Sequence, residues 1–234
     1  MTSEATGAAE GTIELRDVAK TFHLRGFDKH VLRAVDLTVR RGEAIGICGA
    51  NGAGKSTLMR LIAGVEQPTT GTIRRTLATS WPIGYSGAFQ SSLTGADNAR
   101  FIARIYDRDE EALLDYVEDF AELGPYLRQP VRTYSAGMAA RLSFAVSLAI
   151  EFECYLVDEV TAAGDERFRN RSEEAMLARR DQGTLIMISH DTATLERYCT
   201  RGAVLYAGAL TVYDSVREAA DVHHRLQTRA PQKR

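Results

Sequence analysis

The chain has 234 residues, 44% hydrophobic and 26% charged, enough to bury one good core with a subdomain attached. A net charge of −2 and a pI near 6.2, with Arg and Lys scattered, argue against a nucleic-acid surface, which shows as a basic excess on one face. The longest apolar stretch, Leu142 to Ile150, is interrupted by serines and falls far short of the roughly 20 residues that a membrane span requires.

Residues 1–11 are small and acidic, without the basic start or apolar middle of a secretory signal, and read as a flexible leader on a cytoplasmic protein folded over 12–228. Ile13 to Val18 alternates with period two, as does Leu37-Thr38-Val39 leading into Arg41-Gly42-Glu43; both predict strands of an antiparallel edge. The apolar run Ala44-Ile45-Gly46-Ile47-Cys48 then feeds Gly49-Ala50-Asn51-Gly52-Ala53-Gly54-Lys55-Ser56, which fits the phosphate-binding pattern G-x-x-x-x-G-K-[ST]. Glycines let such a loop turn tightly and aim successive N–H groups at phosphate oxygens, and the positive end of the next helix adds to the attraction. Lys55 is placed to reach the β- and γ-phosphates and Ser56 to coordinate Mg²⁺, while Gly49, Asn51, Gly52, Gly54 and Thr57 complete the nucleotide contact. The following helix, Thr57 to Ala63, sets Leu58, Leu61 and Ile62 on one face and ends at Gly64, with Pro68 forbidding continuation.

Gly71 to Arg74 predicts another strand, and Leu77 to Ser86 is β-like but interrupted by Pro82 and Gly84. From Leu93 to Pro130 the period changes to helical: Thr94-Gly95-Ala96-Asp97 forms a capping box before an apolar stripe at Phe101, Ile102 and Ile105, and a second helix follows through Leu113, Leu114, Val117 and Phe120. Strands return at Cys154 to Val157 and Thr184 to Ile188 around a helical segment, Asn170 to Arg180, which implies a βαβ parallel core with residues 91–150 as an inserted helical subdomain. Ligands of open parallel sheets sit beyond the carboxyl ends of strands, so Asp158 can hold Mg²⁺ through a water while Glu159 polarises an attacking water. Cys48, Cys154 and Cys199 have neither zinc nor disulfide spacing, and the first two read as core. The tail, with Arg225, Arg229, Lys233 and Arg234, reads as solvated and disordered, 229–234 forming a basic end.

Thr133-Tyr134-Ser135-Ala136-Gly137-Met138-Ala139-Ala140-Arg141 opens a long apolar helix and resembles the signature loop of ATP-binding-cassette nucleotide-binding subunits, usually Leu-Ser-Gly-Gly-Gln. Ser135 and Gly137 are retained; Tyr134, Ala136 and Met138 depart from the usual form. The resemblance runs along almost the whole chain and implies an α/β P-loop triphosphatase with a parallel core sheet, an antiparallel β edge and a helical subdomain. It also implies ATP and Mg²⁺ as cofactors. In that family the signature of one subunit addresses the γ-phosphate held by the other, so Ser135 and Gly137 imply a homodimer. His190, in Ile188-Ser189-His190-Asp191, looks like the switch histidine that contacts the γ-phosphate; Asp165 matches the loop that crosses the dimer interface; Phe22 matches the aromatic that stacks on adenine, with Phe27 competing. Glu159, His190 and Lys55 are the implied catalytic groups, Mg²⁺ falling to Ser56, Asp158 and Gln90. Gln90 departs from the pattern: the segment between it and Leu93-Thr94-Gly95 is short, so it either is the family's metal-contacting glutamine or aligns just beyond it.

Ser80-Trp81-Pro82-Ile83-Gly84, Leu93 to Asn98 with Phe101 to Tyr106, the Gly-Met signature and Gly164-Asp165-Glu166-Arg167-Phe168 resemble the ATPase subunits of bacterial capsular polysaccharide exporters, with O-antigen and teichoic acid exporters as related alternatives and a non-hydrolysing regulatory cassette as another. The short stretch after Tyr213 favours the capsule type. That branch implies a peripheral protein on the cytoplasmic face of the inner membrane, an integral-membrane permease partner, a periplasmic polysaccharide copolymerase and no nucleic acid. A DNA-repair cassette needs a long coiled coil between Ser56 and Ser135, a cassette translation factor needs a second phosphate loop, and a GTPase needs Asn-Lys-x-Asp; none is present.

Overall fold

The computed structural model describes residues 11–83, 89–158 and 165–229. Two long strands, β1 (Thr12–Leu24) and β2 (Phe27–Arg40), pair antiparallel from Thr12 opposite Arg40 to Leu24 opposite Phe27. β3 (Ala44–Cys48) follows, then helix α1 (Lys55–Ala63), which ends at Gly64 in the left-handed conformation only glycine adopts cheaply. β4 (Thr70–Arg75) joins the free side of β1, giving an antiparallel sheet in the order β2-β1-β4.

The larger sheet is built from β5 (Thr79–Ile83), β6 (Cys154–Asp158), β7 (Thr184–Ile188), β8 (Arg201–Tyr206) and β9 (Ala209–Tyr213) together with β3, in the order β5-β6-β7-β3-β8-β9. All neighbours are parallel except the last pair. Every residue of β3 and β7 is buried, as expected of central parallel strands covered on both faces. The β-like stretch around Pro82 is β5, at the sheet edge, where a missing N–H is tolerated. Asp158 is level with Ile188 and Ile188 with Ile47, so β6, β7 and β3 end together.

The inserted helices are the crossover from β5 to β6: α2 (Gly95–Ile105), α3 (Glu110–Ala121), two short 3-10 turns and α4 (Ala136–Ala149). Each helix has its cap: Thr94, Asp109 and Ser135 accept from the N–H groups of Asp97, Ala112 and Met138. Phe120 of α3 stacks on Phe144 of α4 and meets Phe168 of α5 (Glu166–Gln182) edge-on.

Two expectations need correction. The stripe on α2 is not a core face: Ile102 is buried, but Phe101 and Ile105 are more than half exposed, because Ala96, Asn98, Ala99 and Ala103 face inward instead. Part of the basic tail is ordered: Arg225 lies on helix α7 (Val216–Arg229), its Nε donating to the Asp221 carbonyl. The signal was Ser215-Val216-Arg217-Glu218, a capping box whose Ser215 Oγ accepts the Glu218 N–H at 3.1 Å. Cys199 is core like the other two cysteines, burial pushing both its thiol and that of Cys154 up to about 12. The leader expected over 1–11 falls, up to residue 10, outside the described residues.

Phe120→Ala is expected to lose about 3–5 kcal/mol of stability, the usual cost of emptying a buried aromatic site, read as a fall in the denaturant midpoint.

Candidate nucleotide-binding site

The phosphate loop hangs from the end of β3 and turns into α1 through two glycines at positive φ, Gly52 at 79° and Gly54 at 106°. A Cβ on Gly49 would stand 2.7 Å from the Leu205 carbonyl oxygen, and one on Gly54 would stand 2.8 Å from Val31 Cγ1. The spacing of glycines therefore has two causes: backbone hand at 52 and 54, close approach at 49 and 54. Lys55 is 8% exposed and its Nζ donates to the carbonyls of Gly49 and Ala50 at 2.7 and 3.1 Å. Among the described residues it has no ion pair. A buried ammonium held only by carbonyls, at a helix N-terminus, is a site for an anion.

Two clefts flank the loop, and Asn51 lines both. The first, of about 680 Å³, brings Lys55, Ser56 and Thr57 together with Gly52, Gly54 and Asp158. Its far wall comes from the β1–β2 hairpin, where Phe22 sits opposite Lys29 in the strand register and beneath the Lys20 ammonium, 5.0 Å from the ring centroid. Phe27 is at the hairpin tip, 60% exposed, and does not line the cleft. The Ser56 hydroxyl and Asp158 carboxylate are the hard oxygen donors that Mg²⁺ prefers, and they share this cleft, so the residues present fit the ion.

The second cleft, of about 560 Å³, places Gly49 and Asn51 beside His190 and, from α7, His223, His224 and Gln227. Composition and spacing did not mark α7 as part of the site; its capping box was the available signal. Burial first, and the field of Lys55 second, hold the His223 imidazole below its ordinary range. His190 follows β7 directly, and Asp191 caps α6 (Thr192–Tyr198), its carboxyl lowered chiefly by the hydrogen bonds from Thr194.

The remaining residues lie elsewhere. Gln90 is exposed and lines neither cleft; its N–H donates to Asn98 Oδ1 at 2.8 Å and its carbonyl accepts from Asn98 Nδ2 at 3.1 Å. Ser135 and Gly137 are at the start of α4 and line neither cleft, the Ser135 hydroxyl accepting the Met138 N–H. Asp165 caps α5 and pairs with Arg141 at 2.8 Å. Glu159 lies outside the described residues.

An apolar groove of about 290 Å³, which shares Arg60 with the first cleft, runs between Trp81 and Pro82 of β5, Val65, and the exposed side of α2 at Phe101, Ile105 and Tyr106. Trp81, Tyr106 and Phe152 form a triangle of rings, each pair 5.4 Å apart, and Trp81 Nε1 donates to Ser147 Oγ at 2.8 Å. Among the described residues no helix is long and apolar enough to cross a membrane.

A triphosphate-type loop on a parallel sheet, an acid at the end of β6, two strands away across β7, and a capped Ser-x-Gly helix start define a nucleotide-binding cassette. Residues 32–162 match the family described as ABC transporter, and the chain belongs to that family. It is 46% identical over 214 residues to the capsule polysaccharide export ATP-binding protein CtrD of Neisseria meningitidis serogroup B, covering 92% of this chain and 99% of that one. It is 45% identical over 215 residues to the ATP-binding protein BexA of Haemophilus influenzae, with the same coverage. The fold is shared, at 20% identity and a TM-score of 0.72 over 86% of this chain and 98% of the other, with a dimeric ATP-binding cassette solved in a post-hydrolysis state with ADP and phosphate.

Lys55→Met keeps the buried stem and removes the charge. It is expected to lower MgATP turnover about 10²-fold or more, the scale seen when one preorganised donor to developing charge is lost, measured as phosphate release.

Proposed function

We propose that this chain is the ATP-hydrolysing subunit of a capsular polysaccharide exporter, acting as a homodimer on the cytoplasmic face of the bacterial inner membrane. The capsule assignment draws on 45–46% identity across nearly the full length of both relatives. The observation that carries the dimer is the separation of the two halves of the site. Lys55, Ser56 and Asp158 share one cleft, whereas Ser135 and Gly137 line neither cleft beside the loop, so they serve the nucleotide of a second copy.

In this reading Phe22 stacks on adenine, the loop amides and Lys55 take the phosphates, and Thr57 supports them from the first turn of α1. Mg²⁺, when bound to Ser56 and Asp158, supplies positive charge against the phosphate oxygens. Glu159 orients the attacking water and His190 steadies the γ-phosphate, catalysis being mainly positioning and electrostatics. Gln90 is the weakest member of the metal set, since its backbone is clasped by Asn98 away from the cleft. Asp165 contributes to the dimer interface at the start of α5.

Closure of the dimer moves an integral-membrane permease, which works with a periplasmic polysaccharide copolymerase. The apolar groove at Trp81, Phe101 and Ile105 is where the permease docks: large exposed apolar side chains that converge on one groove are the mark of a partner surface.

Two experiments test this. Glu159→Gln is expected to bind MgATP without turnover and to migrate as a dimer in size-exclusion chromatography when ATP is present; hydrolysis at the wild-type rate would remove Glu159 from its role. Phe101→Glu is expected to abolish both co-purification with the permease in detergent and surface capsule in cells, and retention of both would place docking elsewhere.

A further inference from the structure

Arg141 lies on α4, in the turns that follow the Ser135 cap, and its side chain is only 16% exposed. Its guanidinium carbon stands 4.8 Å from the Phe168 ring centroid, and Nη2 donates to Asp165 Oδ2 at 2.8 Å. The other carboxylate oxygen of Asp165 accepts the Phe168 N–H at 3.0 Å, closing the cap of α5. Both oxygens are thus engaged within the protomer, and the cap N–H first, Arg141 second, hold this carboxyl below the usual carboxylate range. The arrangement has a second copy nearby: Arg171 of α5 stands 4.7 Å from the Phe120 ring and pairs with Asp119 and Glu122 at the end of α3. Two arginines, each held between a ring and an acid, fasten the helical crossover to α5.

We infer that Arg141 is a positioning residue for ATP turnover: it locks the Ser135 turn and the start of α5 into one rigid piece, so that both meet the opposing protomer together. This rests on the dimeric ATPase reading above. Asp165 is 67% exposed, so the ion pair itself adds little stability. Its effect is geometric. A planar guanidinium can stack and donate at a fixed angle at once, which an ammonium cannot do.

A double-mutant cycle tests the inference. Arg141→Met keeps the apolar stem over Phe168, and Asp165→Ser keeps a capping oxygen for α5 while losing the reach to Arg141. Each single change is expected to lower kcat for MgATP about tenfold and the double change no further, a coupling of about tenfold, as for residues acting as one unit. Affinity for a fluorescent ATP analogue, measured where the chain is monomeric, and the thermal midpoint stay at wild-type values. Arg141→Lys stays close to Arg141→Met in kcat, and should Arg141→Met not fold, Lys takes its place in the cycle. Losses that multiply independently, or a fall in nucleotide affinity that matches the fall in kcat, overturn the inference. Failure of the unmodified chain to turn over MgATP refutes the ATPase reading instead, so the two failures are distinct.

Discussion

Parallel pairing brings Asp158 level with Ile188 and Ile188 level with Ile47, and from those three strand ends the phosphate loop, the acidic segment and His190 all depart. Residues far apart in the chain therefore converge without any loop having to carry them far. The ladder is also well protected: Ile45, Ile47, Leu156, Ile186 and Ile188 are all fully buried. Burying one such side chain contributes on the order of 1.5–3 kcal/mol, so a shift in strand register that would misalign the site would also expose much of the core. The geometry of the site is thereby tied to the stability of the fold.

The crossover between β5 and β6 gives that rigid frame its second task. In place of a single helix it carries α2, α3 and α4, which present an apolar groove on one side and the Ser135 turn on the other. Trp81 and Ser147 connect the two sides, one on the edge strand and one near the end of α4. The fold thus sets the phosphate-loop cleft, an apolar groove and the Ser135 turn around one sheet.

Features written in local chemistry were legible in the sequence. The phosphate loop, the αL glycine after α1 and the caps at Thr94 and Ser135 each depend on residues within a turn of one another, so spacing alone exposes them. Features set by distant neighbours were not. Phe101 and Ile105 have helical spacing with Ile102, yet small inward residues let α2 pack closely and turn the two large side chains outward. The place of Gln90 depends on the Asn98 amide, eight residues away, closing on its backbone. Helix α7 has few apolar residues, set among charges, and only the cleft it lines together with Gly49, Asn51 and His190 gives it a place in the site.

The chain holds a single tryptophan, and it forms part of the apolar groove, with Tyr106 and Phe152 against its ring and its N–H fixed on Ser147. Its ultraviolet emission consequently comes from one known spot. Whatever enters the groove changes the polarity around that indole, so the unlabelled protein carries its own optical reporter of occupancy, at a surface that shares only Arg60 with the cleft of Lys55 and Asp158.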